Sequence, residues 1–248
     1  MLSFRCWLAF NSRPATAALL LAGSLSGGSL WAVVNTEVTR VVFNGDENSV
    51  SLALSNSPQQ PTLVQLWVDE GDPRVAPDSV KTPLTILPPV FRMEPGELRS
   101  VKLLLADRDT LPRDRESLYW LNIYQIPPLT AQDERQQQKV ILPLRIRMKL
   151  FIRPAGVAPL REQDGGKLTF RFLPRQRQLV IDNPGPWHMT LSGLSCGNYR
   201  LDSVMVPPAT HLPVTLTGAD GPCQTVNYEV VNDSGNRWSY TVPAGSER

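Results

Sequence analysis

Histidine is the side chain most often used for proton transfer near neutral pH, and this chain contains two, His188 and His211. A serine-type hydrolase needs a histidine that a carboxylate orients beside a nucleophile. His188 follows the segment NPGPW and His211 lies within PPATHLP, and both segments are typical of turns. We therefore expect two surface turn histidines; a hydrolase that uses either of them is the less favoured alternative.

Paired carboxylates are a second arrangement that could perform acid–base chemistry. Asp114 and Glu116 lie two residues apart, but Arg113 and Arg115 alternate with them, and neighbouring opposite charges favour ion pairs over a shared acidic site. The chain has no GxxxxGK[ST] loop, no HExxH and no CxxC motif. The sequence therefore predicts no catalytic residues, no metal site and no cofactor, and we expect a protein that is not an enzyme.

The amino terminus has the pattern of an export signal. Arg5 and Arg13 supply positive charge, and an apolar core at 15–25 leads to a small-residue cleavage point after Ala32. This core is too short to span a bilayer. We expect residues 1–32 to be removed on export, with a retained anchor as the alternative.

Export changes the interpretation of the cysteines. Cys6 would leave with the signal, whereas Cys196 and Cys223 would remain as a pair in an oxidising compartment. We expect them to form a disulfide; two buried free thiols are the alternative.

The charge balance excludes two classes of partner. The chain carries 25 Lys and Arg against 23 Asp and Glu, a net charge of +2. Such a balance offers no electrostatic basis for binding nucleic acid or an anionic membrane.

Short alternating apolar segments recur from residue 36 onward, and no helical period of useful length interrupts them. TEVTRVVF at 36–43, for example, predicts a single strand. The 23 prolines of the chain suit an all-β fold with extended connections. A segment rich in proline and glycine at 153–159 predicts a boundary, so we expect two β-sandwich domains, at 33–153 and 154–248.

One segment has a highly specific pattern: LPRDRESLYWLNIYQIPP, residues 111–128. It resembles the signature of the PapD-like periplasmic pilus chaperones, in which an apolar residue and proline precede Asp-Arg-Glu-Ser, an aromatic-containing strand and an Ile-Pro-Pro exit. The resemblance extends to TRVVFNG at 39–45, ILPPVFRMEPGE at 86–97, RIRMKLFIRP at 145–154 and IDNPGPWHMTL at 181–191.

This resemblance implies two immunoglobulin-like β-sandwiches in tandem, L-shaped with an interdomain cleft, and a cis bond between Leu87 and Pro88. It also implies a periplasmic chaperone that completes the fold of pilus (fimbrial) subunits with a donated strand and delivers them to an outer-membrane usher. The partners would be those proteins, with no small-molecule substrate; self-association of the free chaperone is left open. A secreted structural or adhesive β-sandwich protein of a surface fibre is the alternative.

The segment KVILPLRIRMKL at 139–150 is the donor strand that the resemblance implies, although an ordinary half-buried strand would show the same alternation. Its apolar face carries Val140, Leu142, Leu144 and Ile146. Lys149 falls on the opposite face, so we expect a bulge or strong twist to re-aim it. Pro143 lies inside the predicted strand and cannot donate a backbone hydrogen bond.

A donated strand must bind in one register, since a slip of one residue turns every side chain to the wrong face. The resemblance assigns the register to two cations, Arg40 and Lys149, which would bind the C-terminal carboxylate of the pilus protein. It assigns an interdomain ion network to three residues: Glu116, Arg153 and Asp233.

Overall fold

A computed structural model of the 248-residue chain describes residues 34–128 and 142–246. The predicted signal peptide at 1–32, which includes Cys6, lies outside the described residues, and so does Val140 of the predicted donor strand. Within the two described ranges, no helix is long and apolar enough to cross a membrane.

Strands dominate the chain because alternating segments can bury one face against a second sheet. The first nine are β1 (Val34–Thr36), β2 (Arg40–Phe43), β3 (Ser49–Asn56), β4 (Thr62–Asp69), β5 (Leu84–Leu87), β6 (Val90–Met93), β7 (Leu98–Leu105), β8 (Ser117–Ile126) and β9 (Leu144–Ile152). The next eight are β10 (Thr169–Leu173), β11 (Gln178–Asn183), β12 (Met189–Cys196), β13 (Tyr199–Val206), β14 (Thr210–Thr215), β15 (Thr217–Gly218), β16 (Thr225–Val231) and β17 (Arg237–Ser246). The helical turns in the described residues are α1 (Glu162–Gly165) and two 3-10 turns, Pro77–Ser79 and Pro174–Gln176.

The first sandwich consists of β1–β9. Its two sheets have the strand orders β1-β3-β7-β5 and β2-β9-β8-β4-β6. Alternate residues of the two sheets meet in a buried apolar core, to which β3 contributes Leu52 and Leu54 and β4 contributes Val64 and Leu66. The alternation of these segments in the sequence therefore corresponds to their inward faces.

The segment at 36–43, predicted as a single strand, holds the last residue of β1, a connection at 37–39 and then β2. The two strands belong to different sheets, because β1 pairs with β3 and β2 pairs with β9. Between them the hydroxyl of Thr36 donates to the carbonyl of Val38 over 2.7 Å. The side chain of Gln125 holds β1 by accepting from the N–H of Val34 and donating to its carbonyl. The prediction of a single strand was wrong, since alternation does not reveal where a chain changes sheets.

A second crossing between the two sheets lies between β5 and β6. The Leu87–Pro88 bond at this crossing is cis, as the resemblance implied.

The second sandwich consists of β10–β17, in the continuous order β14-β11-β10-β17-β16-β12-β13-β15. β17 joins its two layers, because residues 237–243 pair with β16 and residues 244–246 pair with β10. Side chains from both layers form a separate apolar core that includes Phe172, Ile181, Leu191 and Tyr228.

The expected disulfide joins Cys196 to Cys223, across 27 residues of sequence. Both cysteines are buried in the core of the second sandwich. The bond ties the end of β12 to the segment that precedes β16.

Candidate functional site

β9 is the element on which the predicted site depends, because part of one of its edges pairs with no other strand that the structure describes. β2 pairs with β9 in parallel only through Arg40–Phe43 against Lys149–Ile152. Over Leu144–Met148, β8 is the only strand that pairs with β9 in the part of the chain that the structure describes. The other edge of this segment, which we call the free edge, therefore offers backbone N–H and C=O groups to another strand.

The even-numbered residues of β9 form an apolar row that runs out of the core. Leu150 and Met148 are buried, and Ile146 packs at the margin of the core. Leu144, the first residue of β9, is 41% exposed, and Leu142, which precedes the strand and continues the alternation in the sequence, is 75% exposed. Exposed apolar side chains beside a free strand edge are typical of a surface that binds another protein chain.

The structure corrects two expectations about this segment. The pairing of β8 with β9 is unbroken from Ile152 to Leu144, so no bulge between these residues re-aims Lys149; the strong twist, the other form of that expectation, stays a prediction. Lys149 lies on the face of β9 opposite the apolar row, where its side chain meets Thr190 of the second sandwich. Pro143 precedes β9, so it lies ahead of the ladder rather than inside the strand.

Arg40 and Lys149 are direct partners in the parallel pairing of β2 with β9. Both side chains contact the second sandwich. Nη1 of Arg40 donates to the carbonyl oxygen of Val231 over 2.9 Å, and Nζ of Lys149 donates to Oγ1 of Thr190 over 3.0 Å. The two cations therefore lie where the sandwiches meet.

The electrostatics of this pair favour an anionic ligand. Burial, and then the charge of Arg40, lower the pKa of Lys149 to about 8. Burial also lowers the pKa of Arg40, although the carboxylates of Asp233 and Glu116 oppose that shift. Among the described residues neither cation forms an ion pair with a carboxylate, and Nε of Arg40 is buried without a hydrogen-bond partner. A carboxylate placed here would receive charge-assisted hydrogen bonds.

The predicted interdomain network is assembled around Arg153. Its Nη2 donates to Oε1 of Glu116 over 2.6 Å, and its Nη1 donates to Oδ2 of Asp233 over 3.0 Å and to Oδ1 of Asn44 over 2.8 Å. Oε2 of Glu116 accepts the backbone N–H of His188 over 2.8 Å. Burial would lower the pKa of Arg153, but the hydrogen bonds and charges of Asp233 and Glu116 raise it above its ordinary value.

Of the four charged residues at 113–116, the network accounts for Glu116. Glu116 stands directly before β8 and is buried against Arg153, with side-chain exposures of 2% and 1%. Asp114 instead stays at the surface, 3.7 Å from Arg115. Through Arg153 and Glu116, the network joins the first sandwich to Asp233 and to the backbone of His188 in the second.

The two histidines occupy different positions from those expected. His188 is nearly buried, with its ring 5.7 Å from the ring of Phe151, so the prediction of a surface turn was wrong for this residue. His211 is exposed but lies within β14, 2.9 Å from Asp182. The described residues contain no cluster of His, Cys, Asp or Glu that could hold a metal ion.

Several contacting residues were missed by the sequence analysis. Lys149 binds Thr190, Arg40 binds Val231 and Arg153 binds Asn44. These contacts form only because the fold brings distant segments together. Thr190 is 41 residues from its partner Lys149, and no local pattern marks such a contact.

The sequence of the chain matches the models of two known domain families. Residues 33–158 match the family of pili and flagellar-assembly chaperones, PapD N-terminal domain. Residues 163–242 match the pili assembly chaperone PapD, C-terminal domain. The chain therefore belongs to the PapD family of pili assembly chaperones, whose two domains are immunoglobulin-like β-sandwiches.

Individual relatives cover nearly the whole chain. The probable fimbrial chaperone YadV of Escherichia coli K12 is 30% identical over 235 residues, which are 91% of this chain and 96% of that protein. The chaperone protein FimB/FhaD of Bordetella pertussis is 32% identical over 233 residues, or 91% and 93% of the two chains.

Solved structures show the same similarity. The Pseudomonas aeruginosa chaperone CupB2 superimposes with a TM-score of 0.69 at 30% identity, over 85% of this chain and all of that one. The Salmonella enterica chaperone SafB, solved in complex with the SafA pilin, gives a TM-score of 0.71 at 26% identity, over 84% and 96% of the chains. These similarities favour a chaperone over the structural fibre protein.

Proposed function

We propose that this protein captures pilus subunits by pairing the free edge of β9 with a strand-deficient subunit. The observation that carries the proposal is the apolar row of β9, which leaves the core beside that edge and ends in the exposed Leu144 and Leu142. A pilus protein that lacks a strand would gain backbone hydrogen bonds from the edge and apolar contacts from the row. Val140 extends the same row in the sequence and stays a prediction.

Arg40 and Lys149 would set the register in which the pilin strand pairs with β9. A bound strand can slide along a backbone ladder unless one end is fixed. The C-terminal carboxylate of the pilus protein would accept hydrogen bonds from both cations, including the unpartnered Nε of Arg40. This contact would place a carboxylate against both cations and set the position of every side chain along the edge.

The proposal extends to the periplasm and to delivery of the bound pilus protein to an outer-membrane usher. The buried disulfide suits an oxidising compartment, and the solved periplasmic chaperone SfaE is 29% identical with a TM-score of 0.67. Binding and release need no bond chemistry, so the protein would act without catalysis or a cofactor.

Co-expression with a pilus subunit of the same gene cluster tests the proposal. Wild-type protein should co-purify with this pilin, and Arg40→Ala or Lys149→Ala should abolish co-purification while the chaperone stays folded. Lys102→Ala is a matched control, because Lys102 is an exposed lysine of β7. Wild-type yields of complex with either cleft variant would refute the carboxylate site.

A further inference from the structure

A polar cluster on the outer face of the first sandwich belongs neither to the cation pair nor to the interdomain network. At its centre is Asp69, the last residue of β4, whose side chain is 2% exposed. Oδ1 of Asp69 accepts from Nη2 of Arg147 over 2.6 Å, and Oδ2 accepts from Nη2 of Arg145 over 3.4 Å. Nδ2 of Asn122 donates to the same Oδ2 over 2.7 Å. We call these four residues the Asp69 cluster.

The cluster ties three strands together. β8 lies between β4 and β9, so the two arginines reach across β8, a span of about 10 Å or two strand spacings. Along the way both donate from Nε to Oδ1 of Asn122 on β8, Arg145 over 2.8 Å and Arg147 over 3.2 Å. Arg145 also lies 4.7 Å from the ring of Trp67, and Arg147 lies 4.9 Å from the ring of Trp120. These contacts place each guanidinium group over an aromatic ring of the sheet.

The hydrogen bonding of Asp69 is well satisfied. Besides the three side-chain donors, Oδ1 accepts the backbone N–H of Gly71 over 2.7 Å. Nη1 of Arg145 donates to the carbonyl of Pro73 over 2.6 Å, in the loop that follows β4. A buried carboxylate with several donors gives a rigid anchor, and removing its charge takes from both arginines the buried carboxylate that they share.

Both arginines belong to Leu144–Met148, the part of β9 with the free edge. The neighbouring residues 149–152 are held on both sides, by β2 and by β8, whereas 144–148 pairs with β8 alone among the described strands. A strand segment with a single partner is the part of a sheet that opens most easily. The arginines lie on the face opposite the apolar row, so their ties leave the edge and the row accessible.

We propose that Asp69 is a positioning residue for the capture of pilus subunits. Through Arg145 and Arg147 it holds residues 144–148 extended against β8 before any pilin arrives, and a preorganised segment binds faster and more tightly than one that must first be ordered. This role rests on the proposed function, since it assumes that the free edge is where the pilin pairs.

Hydrogen exchange on the free protein tests the role directly. Asp69→Asn preserves the size of the side chain but removes its charge. Exchange in residues 144–148 should become about tenfold faster, while residues 149–152 and β16 should stay unchanged. In stopped-flow mixing with an unfolded pilin, the association rate should fall several-fold.

Two further variants keep the test decisive. Arg145→Met keeps an apolar stem over Trp67 but removes the hydrogen bonds of Arg145 to Asp69, Asn122 and Pro73. It should therefore speed hydrogen exchange in 144–148, by less than Asp69→Asn does, and it provides the test if Asp69→Asn folds poorly. Glu70→Gln is the control, because Glu70 is the exposed neighbour of Asp69. Unchanged exchange at 144–148, or a uniform increase throughout both sandwiches, would overturn the positioning role. Failure of the wild-type protein to capture any pilin would count against the proposed function alone, because the exchange measurement is made on the free protein.

Discussion

Arg40 and Lys149 lie directly opposite each other in the parallel pairing of β2 with β9. Like charges at such positions repel, and burial lowers the pKa of both groups. The fold tolerates this arrangement because each cation has a neutral acceptor in the second sandwich, the carbonyl of Val231 and the hydroxyl of Thr190. The unfavourable electrostatics of the free protein would become favourable once a carboxylate binds.

The pH dependence of capture follows from Lys149. Its pKa in the free protein is about 8, so it carries its charge below that pH and loses it as the pH rises further. A bound carboxylate favours the charged form, so capture above pH 8 must take up a proton. Affinity for a peptide that matches the carboxyl-terminal segment of a pilin should therefore be about tenfold weaker at pH 9 than at pH 7, as titration calorimetry would show.

Lys149→Arg supplies the comparison for this profile, because arginine stays charged throughout the range. The affinity of this variant for the same peptide should be equal at pH 7 and pH 9. An equally steep decline in the arginine variant would mean that another group controls the pH dependence.

The apolar row predicts a second outcome. Leu144 is 41% exposed, so Leu144→Asp should change the free energy of unfolding by less than about 1 kcal/mol. Capture of pilins should be lost, because the introduced carboxylate would have to enter the apolar groove of the pilin. Leu98→Asp is the matched control, since Leu98 is 79% exposed on β7 of the other sheet. Co-purification of a pilin with Leu144→Asp at the level of Leu98→Asp would exclude the row from the interface.

The interdomain network predicts a large effect on stability. Arg153→Ala leaves the buried carboxylate of Glu116 without its cation, which should lower the free energy of unfolding by about 3–5 kcal/mol. Asp233→Asn should cost less, because Asp233 is 32% exposed in its side chain and partly exposed ion pairs contribute little. Urea denaturation compares the two. Equal losses would show that burial of Glu116 is not the dominant factor.

The disulfide should stabilise the second sandwich without affecting capture. Replacing Cys196 and Cys223 together by alanine should lower the free energy of unfolding by roughly 2–5 kcal/mol, and denaturation of the reduced wild-type protein offers a comparison without a mutation. Thr190, which contacts Lys149, lies near the start of β12 and Cys196 at its end, about 20 Å away at the rise of a strand. The folded double variant should bind a pilin with the affinity of wild type; a marked loss would couple the bond to the cleft.

Much of this architecture could be predicted from local patterns. Alternation in 139–150 separated the apolar side chains of this segment from its cations, because side chains of a strand point alternately to its two sides. The specific LPRDRES segment, through its family resemblance, indicated the class of protein and the residues of the cleft and the network. The two cysteines that follow the predicted signal peptide, Cys196 and Cys223, predicted the disulfide because they are an even pair in an exported chain.

The sequence by itself determined the composition of the site: the cations, the buried carboxylates, the apolar row and the strands that carry them. Only the tertiary structure decided that 36–43 changes sheets, that His188 is nearly buried, and that Asp69 reaches two arginines across β8. The physical reason is that periodicity records how a residue relates to its immediate neighbours, whereas these features depend on which distant strand lies alongside.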